Sequence, residues 1–159
     1  MIKEDIHHEK LEKALYLLFS KFNKKGARFN VAEFLSNRLL LIEVIERGIP
    51  YSIFNRILEA GPFTNVFWSD ALDLSMKSLQ RYSASERRFD PIHSEKILEL
   101  AEVIVYGRTV FDTYEKFKLW LETPNFALGN SRPMDLLKSS YGKELVLTEL
   151  GRIEHGILA

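Results

Sequence analysis

The sequence has no cysteine among its 159 residues. That excludes disulfides, thiolate catalysis and every Cys-ligated metal site, while leaving the compartment open. It also lacks a surplus of either charge: 22 Lys and Arg stand against 22 Asp and Glu, with four His besides. A chain without net charge has no wide positive field of the kind that marks strong non-specific nucleic-acid binders, although a local basic patch remains possible. Near-zero net charge also removes one barrier to self-association. Apolar runs such as Leu39–Ile42 are far shorter than the roughly 20 residues of a membrane span. The opening Met1-Ile2-Lys3-Glu4-Asp5 leads into charged residues rather than a signal-peptide core, so the expectation is a soluble, cytoplasmic protein.

What is present is apolar and helical. Hydrophobic residues make up 46% of the chain. Folding a chain of this length can bury roughly 70% of its unfolded surface, enough for a core without staples. The periodicity predicts an all-α fold. Ile6, Leu11, Ala14, Leu15, Leu18, Phe19 and Phe22 recur at three- and four-residue spacing, predicting an amphipathic helix from Glu4 to Asn23 that stops at Lys24-Lys25-Gly26, with Lys21 near its carbonyl end.

Asn30 and Glu33 have capping-box spacing. The nearly continuous apolar stretch behind them, through Leu35, Leu39, Leu40, Ile42, Val44 and Ile45 to Gly48, suggests a helix buried on more than one side. Pro50 is placed to open a helix carrying Ile53, Phe54, Ile57 and Leu58, which Ala60-Gly61-Pro62 closes.

Thr64 or Asn65 is suited to cap a short helix through Val66, Phe67, Trp68, Ala71 and Leu72. Ser75 is suited to cap a second, from Met76 to about Tyr82, with Met76 and Leu79 inward. Two short helices joined by Asp73-Leu74-Ser75 have the outline of a helix-turn-helix. Asp90-Pro91 then starts a long helix through Ile97, Leu98, Ala101, Ile104 and Val105, in which Gly107 marks either a weak point or a close approach. Later helices carry Phe117 and Leu121, then Met134 to Leu137, and finally a stretch through Leu145, Val146, Leu150 and Ile153 that runs almost to Ala159. A strand over Glu144–Thr148 is the weaker reading.

Motifs for catalysis are missing. The eight glycines are scattered, with no glycine-rich phosphate loop, and Gly142-Lys143 reads as helix punctuation. His7, His8, His93 and His155 have no metal-ligand spacing. The carboxylate pairs Glu43/Glu46, Asp70/Asp73 and Glu99/Glu102 fit solvated helix faces as well as they fit acid–base chemistry. No serine sits in a nucleophile turn. The expectation is a non-enzyme with no catalytic residue, metal or cofactor.

The local signal that stands out begins at Ser75. From Met76 to Arg88, Lys77, Arg81, Arg87 and Arg88 outnumber Glu86, and Ser78 and Gln80 lie among them. In a major groove Gln pairs with adenine and Arg or Lys with guanine, while Ser serves bases or phosphates. Arg87 and Arg88 are better suited to clamp phosphates, which positions without specifying. An ordinary polar helix followed by a basic loop explains the same residues. Four cations release few counterions, so useful affinity calls for a dimer.

Three C-terminal blocks sharpen the reading. Trp120-Leu121-Glu122-Thr123-Pro124-Asn125-Phe126-Ala127-Leu128-Gly129, then Arg132-Pro133-Met134-Asp135-Leu136-Leu137, then Leu150-Gly151-Arg152-Ile153-Glu154-His155-Gly156 together resemble the Xre/MbcA/ParS-like antitoxins of RES-Xre toxin–antitoxin systems. The resemblance covers Asp90 to Ala159 well. Earlier, Gly48-Ile49-Pro50 stands where Gly-Leu-Pro is common, and Leu74-Ser75-Met76-Lys77-Ser78-Leu79-Gln80-Arg81 is similar to the family's usual recognition-helix wording. Lys77 and Ser78 replace its Arg and Thr, Tyr82 replaces a frequent basic residue, and Asp112-Thr113 lies where Gly-Asp is usual.

Residues 1–30 lie outside the resemblance and read as an N-terminal helical extension; the resemblance implies an Xre-like helix-turn-helix domain over 31–89 and a toxin-binding domain over 90–159. It implies an antitoxin whose C-terminal domain covers a RES-domain toxin that acts on NAD, so that NAD belongs to the partner. It also implies autoregulation at the operon's own promoter, and a homodimer within a larger toxin–antitoxin complex. The toxin-facing candidates are Asn125, Arg132, Arg152, Glu154, His155, Gly156, Ile157, Leu158 and Ala159. A structural role inside the Asn125–Arg132 loop is the alternative for Asn125, and helix stabilisation is the alternative for Arg152 and Glu154. Ile153 reads as core. Two other functions compete: a stand-alone transcriptional regulator, and a toxin-binding protein without DNA binding.

Overall fold

The computed structural model describes residues 2–20, 28 and 30–157, with side chains from residue 6 onward. Its architecture is all-α, and no strand occurs among the described residues. Contacts divide the chain into two compact units, Met1–Leu98 and Glu99–Ala159.

In the first unit, α1 (Ile2–Phe19) lays Leu11, Ala14, Leu15, Leu18 and Phe19 into the core. It packs chiefly against α4 (Tyr51–Ala60), which contributes Ile53, Phe54, Ile57 and Ala60. The last helical residue described in α1 is Phe19, and Ser20 turns its hydroxyl back to Leu17 O at 3.2 Å. Ile6, placed on the buried stripe by its spacing, is exposed. Lys21, Phe22, Asn23 and the Lys24-Lys25-Gly26 stop lie outside the described residues.

Asn30 Oδ1 accepts from Glu33 N at 3.2 Å and starts α2 (Val31–Ser36) as its spacing predicts. The single helix expected to follow is two. Asn37 leaves helical geometry (φ −81°, ψ 91°), and its side chain caps α3 (Arg38–Arg47) at Leu40 N. The break changes which residues face inward. Leu41 and Val44 are buried, whereas Leu39 is 81% exposed and Ile42 is exposed beside it. Burial on several sides is therefore corrected to burial of one face.

An aromatic cluster fixes the remainder of this unit. The Phe54 ring meets Trp68 edge-on at 5.1 Å and Phe89 at 5.0 Å, and Tyr82 stacks on Phe89 at 4.4 Å. Geometry of this kind adds to area burial. It ties α4 to α5 (Asn65–Ala71), α6 (Met76–Ser85) and the segment leading into α7 (Pro91–Val110). That segment is strapped against the entry to α4: Phe89 N donates to Ile49 O and Tyr51 N to Arg87 O. Buried Ser94 Oγ accepts from Ile49 N and donates to Phe89 O.

The second unit begins inside α7. Leu100, Ala101, Val103 and Ile104 form its floor, with Phe117 and Leu121 of α8 (Tyr114–Glu122), Leu137 after α9 (Pro133–Leu136), and Val146 and Leu150 of α10 (Ser140–Glu154). The two readings of Gly107 resolve as close approach: a β-carbon there would lie 2.1 Å from the buried Phe117 ring. Glu144–Thr148 is helical, and the final helix, expected to run almost to Ala159, ends at Glu154 because Gly156 turns into a left-handed conformation (φ 69°).

Candidate functional site

Local chemistry builds the helix-turn-helix. Thr64 Oγ1 accepts from Phe67 N to start α5, and Ser75 Oγ accepts from Ser78 N to start α6. Between them Asp73 takes a left-handed conformation (φ 51°), and Ser69 hydroxyl bonds to Leu74 O, closing the turn. Buried Leu79 anchors α6 from beneath. Met76, expected inward, is exposed instead because it occupies the first helical position, ahead of the face that meets the core.

Lys77, Gln80 and Arg81 are exposed, and the 100° step of a helix places them on one side, opposite Leu79 and half-buried Tyr82. Ser78 lies at the edge of that face, with its hydroxyl 2.9 Å from Ser75 Oγ in the cap. The two arginines beyond α6 have separate duties. The Arg87 guanidinium rests over the Tyr82 ring, 5.9 Å from its centroid. Arg88 donates from Nη1 to Gly48 O at 2.8 Å and lines a cavity of about 470 Å³ with Leu17, Leu18, Val44 and Ile53. The exposed face of α6 is thus a tripod of two cations and an amide, with Arg87 and Arg88 held on the strap below it.

In the second unit, the loop after α8 is shaped by its own polar atoms. Asn125 Oδ1 accepts from Ala127 N at 2.9 Å, capping a 3₁₀ turn over Phe126–Leu128. Asn125 N donates to Ser131 O, and its carbonyl accepts from Asn130 N. Gly129 (φ 65°) and Asn130 (φ 59°) make the reversal in left-handed conformations, which Gly and Asn adopt most readily. Asn125 is therefore the loop's organiser. Arg132 grips Asp135 through two bonds, Nε to Oδ2 at 2.7 Å and Nη2 to Oδ1 at 2.9 Å, across the first turn of α9. That guanidinium holds the Asp135 carboxyl below the usual carboxylate range.

Ser139 caps α10 at Gly142 N. The inward face of α10 carries an ion pair that sequence reading passes over as punctuation. The Lys143 side chain is 6% exposed, and its Nζ donates to Glu102 Oε2 at 2.9 Å and lies 3.2 Å from Glu144. Burial pulls the ammonium's pKa down, but the hydrogen bond and charge of Glu102, joined by Glu144, outweigh it, so the net shift is upward. Glu99, the other member of its carboxylate pair, accepts from Ser140 Oγ at 2.9 Å. Both carboxylates are thus engaged in helix packing.

The end of α10 gathers five toxin-facing candidates. Ile157 N reaches back to Arg152 O at 2.8 Å and Gly156 N to Ile153 O, closing the helix through Gly156 at φ 69°. Arg152 lies 3.5 Å from Glu149, and His155, Gly156 and Ile157 are exposed. Glu154 accepts a 2.6 Å bond from the Tyr106 hydroxyl, which raises the tyrosine's pKa. Asn125 and Arg132 belong to the loop before α9, apart in sequence from this group. Leu158 and Ala159 lie outside the described residues.

Sequence reasoning leaves out Phe126, 82% exposed on the 3₁₀ turn, and Tyr141, 89% exposed on α10. Their signal is large apolar residues directly beside turn and cap residues, where no inward face exists to take them.

Two family models match this chain. Residues 40–102 match the antitoxin Xre-like helix-turn-helix domain, and residues 107–156 the antitoxin Xre/MbcA/ParS C-terminal toxin-binding domain. The Prs ADP-ribosylating antitoxin of Sphingobium sp. (strain YBL2) is 30% identical, over 74% of this chain and 80% of that protein. An antitoxin Xre from Yersinia enterocolitica is 26% identical, over 78% of this chain and 84% of that one. A crystal structure of the M. tuberculosis MbcT-MbcA toxin–antitoxin complex aligns at 20% identity with a TM-score of 0.49, over 83% of this chain and all of that one.

Proposed function

Because this chain belongs to the Xre/MbcA/ParS antitoxin family, we propose that it neutralises a RES-domain, NAD-consuming toxin by covering that toxin's active-site entrance. It contributes no chemistry of its own; the NAD belongs to the partner. The observation that carries this reading is that the segment matching the toxin-binding domain ends in an exposed turn, His155 to Ile157, tied back to Arg152 O and Ile153 O by its own backbone bonds. A turn ordered before docking avoids part of the cost of ordering it on binding. The Sphingobium relative's name joins ADP-ribosylation to an antitoxin, and ADP-ribosyl transfer draws on NAD.

The same chain represses its own operon from the cytoplasm through α6. Lys77, Gln80 and Arg81 face the groove, Ser78 stands at its margin, and Arg87 and Arg88 lie toward phosphates. Two copies provide two recognition helices, and the exposed Leu39 and Ile42 on α3 support a homodimer seam.

Co-expression with the RES-domain protein encoded by the neighbouring gene tests neutralisation. The full chain is expected to restore growth and cellular NAD. A chain lacking residues 156–159 is expected to fold and accumulate normally but to protect poorly. Full protection by that truncated chain removes the plug from the account.

A further inference from the structure

Large apolar side chains exposed on a small unit cost solubility and mark a contact surface. Along α10, residues 141, 145, 148 and 152 fall within about 60° of one another around the helix axis. Tyr141 is 89% exposed and Leu145 54%. Thr148 turns its hydroxyl back to Glu144 O at 2.8 Å, so this stripe offers no side-chain donor there. Arg152 closes the stripe at the end that leads into His155 and Ile157. The opposite face of the helix, with Gly142, Lys143, Val146, Glu149 and Leu150, is buried, so the outer stripe is not needed to hold the unit together.

We propose that this outer stripe of α10, centred on Tyr141 and Leu145, is the apolar anchor that seats in the toxin. The inference rests on the neutralisation reading above. It separates two tasks: the stripe grips, and the terminal turn closes the entrance. The occupant is the toxin because the stripe lies wholly within the segment that matches a toxin-binding domain and runs without interruption into the terminal turn. The matching surface on the toxin is an apolar recess that takes one aromatic and one aliphatic side chain, with an acidic group opposite Arg152. Aromatic anchors at a desolvated interface centre carry a disproportionate share of affinity.

Binding of the purified full-length chain to the RES-domain protein encoded beside it, by calorimetry, provides the test. Tyr141→Ala with Leu145→Ala is compared with Ile92→Ala, an exposed apolar control in the first unit. Both variants should keep the wild-type helical signal and melting temperature. The double variant is expected to bind at least about tenfold more weakly, and the control to bind as wild type. Equal binding by the double variant and wild type overturns the anchor and leaves neutralisation standing. Lost self-association in the double variant with unchanged toxin affinity overturns it too, by assigning the stripe to a second copy of the chain. A wild-type chain that binds no RES-domain protein removes the neutralisation reading and the anchor together.

Discussion

At the scale of single residues, Lys143 shows how a polar group can hold a helical unit together. Its ammonium is nearly buried, while Glu102 keeps partial contact with water at 23% side-chain exposure. Lys143→Met keeps the aliphatic stem but leaves Glu102 facing an apolar neighbour. Breaking a fully buried pair costs about 3–5 kcal/mol; solvent at Glu102 lowers the expected loss here to about 2 kcal/mol, read from urea denaturation. The pH dependence follows from the upward shift. The ion pair's contribution is fully present below lysine's ordinary range and is lost as pH climbs through the raised folded value. The wild-type chain should therefore lose stability relative to Lys143→Met on the alkaline side. A variant whose stability deficit stays constant from neutral to strongly alkaline pH would contradict that assignment.

At the scale of elements, α6 carries the expectation for DNA. Lys77→Ala with Arg81→Ala should weaken binding to the operon's own promoter by about 1–3 kcal/mol for each lost base contact and relax its sequence preference. Toxin binding should be unaffected, since both residues lie in the first unit; equal loss of both activities would indicate misfolding. The helix starts of α2, α5 and α6 were legible in the sequence where a cap works over three residues, as at Asn30, Thr64 and Ser75. Asn37 was not, because nothing in its neighbours separates a tolerated mid-helix Asn from one that leaves helical geometry and caps the next element. The exposure of Leu39, Ile42 and Met76 was equally hidden. Apolar spacing shows that a face exists, and only tertiary packing decides whether anything covers it. Lys143 escaped for the same reason, since its partner Glu102 is 41 positions away.

For the whole molecule, the two units divide the proposed work. The first presents α6 on an aromatic scaffold of Phe54, Trp68, Tyr82 and Phe89, and the second presents α10 and its terminal turn. The candidate residues sort along the same division: Lys77, Ser78, Gln80, Arg81, Arg87 and Arg88 in one unit, and the toxin-facing group in the other. The polar atoms of Asn125, Arg132 and Glu154 are engaged inside their own unit, which makes them shapers of the surface, whereas His155 and Ile157 stand exposed on it. The most direct measurement is a titration of the purified RES-domain toxin's NAD turnover with the full-length chain. Activity is expected to fall to zero at a fixed stoichiometry, with NAD no longer binding the saturated complex. A stable complex that still binds and consumes NAD at the rate of the toxin alone would contradict it.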